Sequence, residues 1–346
     1  MPTRRKFIKG SAAALALASS TPAFSIAKIR HSKNAPVVGH GAHTYRVHKS
    51  WGDQDPAKIP VRDCHEMVQD RSGRLILLTN HVKNNIIIYD RSGKVTDTWT
   101  LETPGAHGLT IVDEGGEQFL FITDERINKV YKTTLDGRVL LKLDYPTMIP
   151  AYTEAAKWKP TEVAVAQNGD FYVADGYGLN YIVQYSPQGE YIRHFGGQGD
   201  GDTEFQCCHG VTLDTRFGRN ELLITSRTKN EFKRFSLEGE HLETISLPGC
   251  WICRPVIKGD ELYFAVIVSK EWFSYDGMLA ILDKNNKVVS LPGGSEPGYE
   301  NGMLVPPISD DVTFMNPHDV CIDNDLNIYV PQWYSGRTYP IMLERV

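Results

Sequence analysis

Pro317-His318-Asp319-Val320 is the fourth appearance of a phrase met earlier as Cys64-His65-Glu66-Met67, Ala106-His107-Gly108-Leu109 and Cys208-His209-Gly210-Val211. In each, a histidine opens a short apolar stretch. Recurrence at about 40 to 60 residues marks repeated units that place equivalent side chains at equivalent depths. If the units are propeller blades, the four histidines meet on the axis.

Outward from these phrases the chain falls into six passages of short strands and turns, with hardly a helix-period stretch. The third is the clearest: Thr161 to Val165, the turn Gln167-Asn168-Gly169, Phe171 to Ala174, Ile182 to Tyr185, the turn Ser186-Pro187-Gln188-Gly189, then Tyr191 to His194. Each passage has three or four strands, the content of one blade, and six close a ring. The sixth passage lacks an outermost strand, while His43 to Trp51 reads as an alternating strand with no neighbour. Joining that strand to the last blade resolves both anomalies. A β-sandwich or two separate domains would leave them unexplained, so the expectation is an all-β, six-bladed β-propeller over residues 43–346, closed by its N-terminal strand.

Composition bounds the function. The 346 residues are 41% hydrophobic, enough for a large core, and a net charge of -5 leaves no basic footprint for nucleic acid. Thr3-Arg4-Arg5-Lys6-Phe7 and the apolar run after Ala12 read as a twin-arginine signal peptide over 1–27, followed by a linker over 28–42. The apolar run is too short to span a bilayer, so no membrane anchor is expected. A periplasmic or secreted monomer acting on a small molecule or modified peptide follows as the expectation. Six cysteines are too few for a disulfide scaffold in an exported chain this long, and Cys250-Trp251-Ile252-Cys253 lacks the second pair of a zinc ribbon. Buried thiols or one optional disulfide is the reading. Cys64 and Cys208, beside ring histidines, either pack or add metal ligands.

The innermost strand of each blade runs along the channel, so one repeat position traces a ring: His65, His107, Thr161, His209, then Cys253 or Arg254, and His318. A lone histidine in a β-rich core is usually a satisfied core residue. Four crowded on one axis repel when protonated and lack partners when neutral, unless a cation sits among them. Three neutral imidazoles and an open position form the ligand set of catalytic zinc. After the second strand of the third blade comes Asp175-Gly176-Tyr177, and at the matching place in the fourth comes Ser226-Arg227. A tyrosine near a divalent cation can serve as a base, and an arginine can clamp a carboxylate. The competing readings are a blade-packing aromatic and a surface ion-pair partner.

Lys159-Pro160-Thr161-Glu162-Val163-Ala164-Val165, Tyr172-Val173-Ala174-Asp175-Gly176-Tyr177, Ile182-Val183-Gln184-Tyr185-Ser186-Pro187 and Cys208-His209-Gly210-Val211 resemble the corresponding run of the peptidyl-α-hydroxyglycine α-amidating lyases, six-bladed propellers of the NHL-repeat class. The likeness extends over nearly all of residues 60 to 346 and is densest from 159 to 235. The resemblance implies zinc held by His107, His209 and His318, a base at Tyr177 and an arginine at Arg227. It also implies a structural calcium bound by Asp319 and the Leu109 carbonyl. In that chemistry a carbinolamine hydroxyl is deprotonated, and C–N cleavage releases an amide and glyoxylate. Three departures stand out. Thr79-Asn80-His81 replaces a second catalytic arginine. His65 is an added histidine, a fourth ligand or an acid/base group. Gly178 replaces the cysteine after the family tyrosine.

The leading expectation is an exported zinc-dependent lyase acting on a small hydroxylated substrate, with Tyr177, Arg227 and His65 as catalytic residues. Zinc-dependent hydrolysis of an ester, lactone or sugar derivative is the second, and a non-catalytic NHL scaffold that binds through its loops the third. The insert from Pro292 to Phe314 is expected to be a loop over one face, a lid or mere packing.

Overall fold

The computed structural model describes residues 35–218 and 220–346. The signal-peptide reading and the start of the linker lie outside the described residues. Five antiparallel sheets follow one another in sequence order. Their innermost strands are Cys64–Gln69, Ala106–Glu114, Glu162–Val165, Val211–Asp214 and Val256–Lys258, and each is followed outward by three more strands.

The sixth sheet closes the ring. Cys321–Ile322, Ile328–Val330 and Ile341–Arg345 are joined by His43–His48, paired as Tyr45↔Arg345 and Val47↔Leu343. This is the closure expected of the orphan strand. One element was missed: Val37–His40, inside the stretch read as linker, pairs with His43–His48 as a fifth strand. Gly41, with φ 57°, lies in the tight turn between the two. The six-bladed propeller is thus established, with its N-terminal edge about six residues earlier than the sequence suggested.

Burial explains the sequence pattern. Middle strands are rich in apolar residues because both faces are covered: Leu75–Thr79, Phe171–Ala174 and Met278–Leu282 are buried at every residue. Outermost strands such as Val95–Trp99 and Tyr191–Gly196 are half solvated, and their composition is mixed. Between neighbouring blades lie apolar clusters, for example Ile76, Leu78 and Ile88 against Leu120 and Ile122. Gly93, Gly137, Gly189 and Gly239 all have φ between 83° and 93° in the turn before the outermost strand, a conformation costly for side chains with a Cβ.

The insert between blades five and six carries a small hairpin, Tyr299–Glu300 with Met303–Leu304. It is anchored along the outside: the Val288 amide donates to the Tyr299 hydroxyl at 2.7 Å, and Leu304 packs among Leu282, Val288 and Leu291. It therefore packs on blade five. No helix among the described residues is long and apolar enough to cross a membrane.

Candidate functional site

A break in strand pairing delivers the histidines. The register of Cys64–Gln69 shifts between Cys64 and Glu66, and that of Ala106–Glu114 between Ala106 and Leu109. Such a bulge re-aims side chains. His65 and His107 enter one layer of the channel, and the residues after them enter the layer beneath. In blades three, four and six the equivalent residues Thr161, His209 and His318 precede their strands. Cys207 takes φ 66°, rare for a residue with a Cβ, and its carbonyl accepts from the His209 amide at 2.8 Å.

All four imidazoles are buried, at 5% exposure or less, and they converge. Ring centroids lie 4.7 Å apart for His107–His209, 5.0 Å for His107–His318 and His209–His318, 4.9 Å for His65–His107 and 4.8 Å for His65–His318. These are two triads sharing His107 and His318, one completed by His209 and the other by His65. Ligand-capable atoms of His65, His107 and His318 all fall within 4.8 Å of one another. Burial drives each ring to the neutral form: His65 is pushed down to about 3, with the Arg227 charge adding, and His107, His209 and His318 fall well below the usual histidine range.

These residues fit a metal. Nδ1 of His107 is 2.9 Å from the Thr161 carbonyl and Nδ1 of His318 is 3.0 Å from the His65 carbonyl. A carbonyl only accepts, so both rings carry the proton on Nδ1 and turn a bare Nε2 lone pair inward. Nε2 of His209 lies 3.1 Å from Nε2 of His107, a separation natural for two ligands of one tetrahedral ion. Among the described residues neither His65 Nδ1 nor His209 Nδ1 has a hydrogen-bond partner.

Tyr177 and Arg227 reach the same place from their predicted loops. The Tyr177 hydroxyl is 3.1 Å from His107 Nε2 and accepts from Arg227 Nη1 at 3.3 Å. Burial of the hydroxyl raises its pKa, and Arg227 pulls it back. The residue as a whole is 38% exposed, so Tyr177 is neither blade packing nor remote from solvent. Arg227 is 1% exposed and not a surface ion-pair partner. Its Nε donates to the Ile252 carbonyl at 3.0 Å and its Nη2 contacts Cys253 Sγ at 3.4 Å. Burial pushes that thiol up to about 11, so it is uncharged. No carboxylate pairs with Arg227 among the described residues.

At blade one, where the resemblance puts an arginine, Asn80 donates to Asp63 at 2.9 Å and lies 3.4 Å from His65 Nε2. The loop holding Tyr177 is tied by Asp175, whose carboxyl accepts from the Lys159 amide at 2.6 Å, the Leu179 amide at 2.5 Å and the Tyr152 hydroxyl at 2.5 Å. Gly178 has a steric reason: a Cβ there would lie 2.1 Å from Asp175 Oδ1 and 2.2 Å from the Lys157 carbonyl. The cysteines are free thiols, with Cys64 and Cys208 fully buried as packing.

The calcium set implied by the resemblance needs correction. One residue beyond the histidine ring the blades read Glu66, Gly108, Glu162, Gly210, Arg254 and Asp319. Arg254 occupies the centre. Its Nε and Nη2 donate to Asp319 at 2.8 Å each, its Nη1 to the Leu109 carbonyl at 2.7 Å, and its Nη2 to the Met67 carbonyl at 3.0 Å. Asp319 and the Leu109 carbonyl therefore serve a guanidinium. The sequence reading left Cys253 and Arg254 unresolved; Cys253 belongs to the upper layer and Arg254 to the lower.

No protein-family model matches this chain. It is 31% identical over 109 residues to a peptidyl-alpha-hydroxyglycine alpha-amidating lyase of Caenorhabditis elegans, covering 31% of this chain and 30% of that protein. It is 38% identical over 93 residues to peptidyl-alpha-hydroxyglycine alpha-amidating lyase 1 of Drosophila melanogaster, 26% of this chain and 16% of that one. Peptidyl-glycine alpha-amidating monooxygenase B of Xenopus laevis is 28% identical over 145 residues, 40% of this chain and 16% of the relative. The matched segments span less than a third of each relative and less of this chain than residues 60 to 346. Among solved structures, a gluconolactonase from Xanthomonas campestris aligns with TM-score 0.59 at 13% identity, covering 90% of this chain and 96% of that one. A virginiamycin B lyase from Staphylococcus aureus aligns with TM-score 0.55 at 14% identity, covering 82% and 95%. At such identities the fold alone is shared. The chain is a six-bladed β-propeller whose sequence is similar to the peptidyl-α-hydroxyglycine α-amidating lyases.

Proposed function

We propose that this protein is an exported, zinc-dependent lyase that cleaves a carbinolamine bearing a carboxylate, the reaction class named in its relatives. The observation that carries the reading is the meeting of Tyr177, Arg227 and His107: a phenol 3.3 Å from a buried guanidinium and 3.1 Å from an inward imidazole nitrogen. A buried cation without a carboxylate partner is costly to keep and suits an incoming anion.

In this reading Arg227 holds the substrate carboxylate and places the adjacent carbon over the histidine ring. Tyr177, as phenolate, takes the proton of the carbinolamine hydroxyl. The oxygen's electron pair then forms the C=O bond as the C–N bond breaks, and the departing amide nitrogen recovers the proton from Tyr177. The products are a primary amide and glyoxylate, and atoms and charge balance. Zinc held by His107, His209 and His318 would supply Lewis-acid polarisation and help Tyr177 ionise. His209 completes the triad better than His65 because Tyr177 lies beside both His107 and His209, edge-on to the first and tilted to the second, with ring centroids 5.1 and 5.6 Å away. His65 then stands across the ring as a neutral imidazole, 3.4 Å from Asn80, with no proton to move in this cycle.

The loops after the second strands of blades five and six open on the same face as Tyr177 and Arg227. They carry Trp272, Phe273, Tyr275 and Tyr334, each at least 39% exposed, with Tyr275 and Tyr334 stacked at 6.0 Å. Such a wall suits an apolar group on the amide side of the substrate.

The test is glyoxylate release from an N-acyl-α-hydroxyglycine by protein loaded with zinc. Tyr177→Phe is expected to lower kcat about 10²- to 10⁴-fold while zinc stays near one per chain. Full activity in Tyr177→Phe, or no turnover of any carbinolamine while esters or lactones are hydrolysed, would overturn the reading.

A further inference from the structure

The layer beneath the histidines is a second constellation that the lyase reading does not use. Glu66, Glu162 and Asp319 are each 1% exposed or less, and they face Arg254 from blades one, three and six. Besides the four hydrogen bonds already given, Arg254 Nη1 lies 3.2 Å from Glu66 and 3.6 Å from Glu162. One guanidinium from blade five thus meets oxygens of blades one, two, three and six. Three carboxylates and two backbone carbonyls converging on one point form the ligand set of a hard divalent cation such as calcium. Here a side chain fills the point.

Blades two and four carry glycine at this level. Gly210 of blade four makes room for Arg254, since a Cβ there would lie 2.5 Å from Arg254 Cα; a Cβ on Gly108 of blade two would lie 2.4 Å from the Thr161 carbonyl. The partners of Arg254 are also neighbours of the upper ring. Asp319 follows His318, Glu66 follows His65, Leu109 stands two residues after His107, and Glu162 follows Thr161, whose carbonyl fixes the His107 tautomer. The guanidinium can therefore set the height of the histidines from below.

We propose that Arg254 is a built-in replacement for a structural metal ion: it ties five blades at the axis, positions the histidine ring, and frees this propeller from calcium. Arg254 is a positioning residue, since it touches no reacting atom. The proposal holds whichever reaction the histidine face performs, because its test reads calcium dependence and unfolding rather than turnover.

The experiment is thermal unfolding of the full chain, at fixed zinc, titrated with calcium chloride, alongside metal analysis. The wild type is expected to hold no stoichiometric calcium, and its midpoint should not move. Arg254→Ala leaves three buried carboxylates without their cation and should lower the midpoint by roughly 5–15 °C. Calcium should restore at least half of that loss by occupying the vacated space. Arg254→Met removes the charge but fills the volume, so it should be destabilised yet unresponsive to calcium. A calcium-stabilised wild type would overturn the proposal, as would an Arg254→Ala protein that calcium fails to rescue. Should Arg254→Ala not fold in any buffer, the wild-type titration and Arg254→Met still decide: a calcium response in either sinks the idea.

Discussion

Arg227 differs from most buried arginines in what surrounds it: a carbonyl, a thiol and a phenol, none of them a carboxylate. In the proposed reaction such a guanidinium receives the substrate's anion, whereas Arg254, ringed by acids, already has its partners. Two arginines of similar burial thus have opposite meanings, decided by charge balance. The histidines pose a comparable question, because two triads share His107 and His318. Replacing either shared residue by alanine should abolish zinc binding. His209→Ala should lose zinc as well, whereas His65→Ala should keep close to one equivalent, measured by metal analysis after dialysis. Retention by His209→Ala with loss by His65→Ala would move the ion to the other triad, away from Tyr177.

At the level of elements, the loop from Asp175 to Asn180 is what sets Tyr177 in place, and Asp175 is its pin. Three donors converge on that carboxyl, yet burial still pushes it up to about 7, with the hydrogen bonds from Tyr152, Lys159 and Leu179 working against the rise. A carboxyl that titrates near 7 folded and near 3.9 unfolded binds more protons in the folded state across that window. Its contribution to stability is therefore greatest at low pH and is lost as pH rises through 7. Asp175→Asn should remove this slope from the pH dependence of urea unfolding. It should also cost about 1–3 kcal/mol, because an amide cannot accept from all three donors. An unchanged slope in the variant would place the titration elsewhere. Gly178 belongs to the same loop: the space a cysteine would need is taken by Asp175 and the Lys157 carbonyl.

For the molecule as a whole, the closure is the weak point of any ring, and here two strands from the N-terminal side carry it. Tyr45 is fully buried, and its hydroxyl accepts from Arg345 at 2.9 Å; His43 contacts Glu261 of blade five at 2.6 Å. The Ser290 hydroxyl links the added outer strand to blade five through the His40 amide at 2.9 Å. Tyr45→Ala should cost about 3–5 kcal/mol and lower the cooperativity of unfolding, seen as a smaller denaturant slope. A loss below about 1 kcal/mol would mean that the ring stays shut without this strand.

The repeated phrase, the all-β passages and the unpaired strand near residue 45 were legible in the chain itself, since blade periodicity and strand composition are local properties that survive without coordinates. The histidine ring could be read from one repeat position, and Tyr177 and Arg227 from equivalent strand ends. The strand Val37–His40 was not legible, because a four-residue run becomes a strand only when a neighbour offers its edge. Nor was the role of Arg254. Its partners lie 65 to 187 residues away in sequence, and only closure of the ring brings their oxygens around one guanidinium. Chain order alone determined which residues face the axis; the tertiary structure decided at which depth each one sits and what charge it meets there.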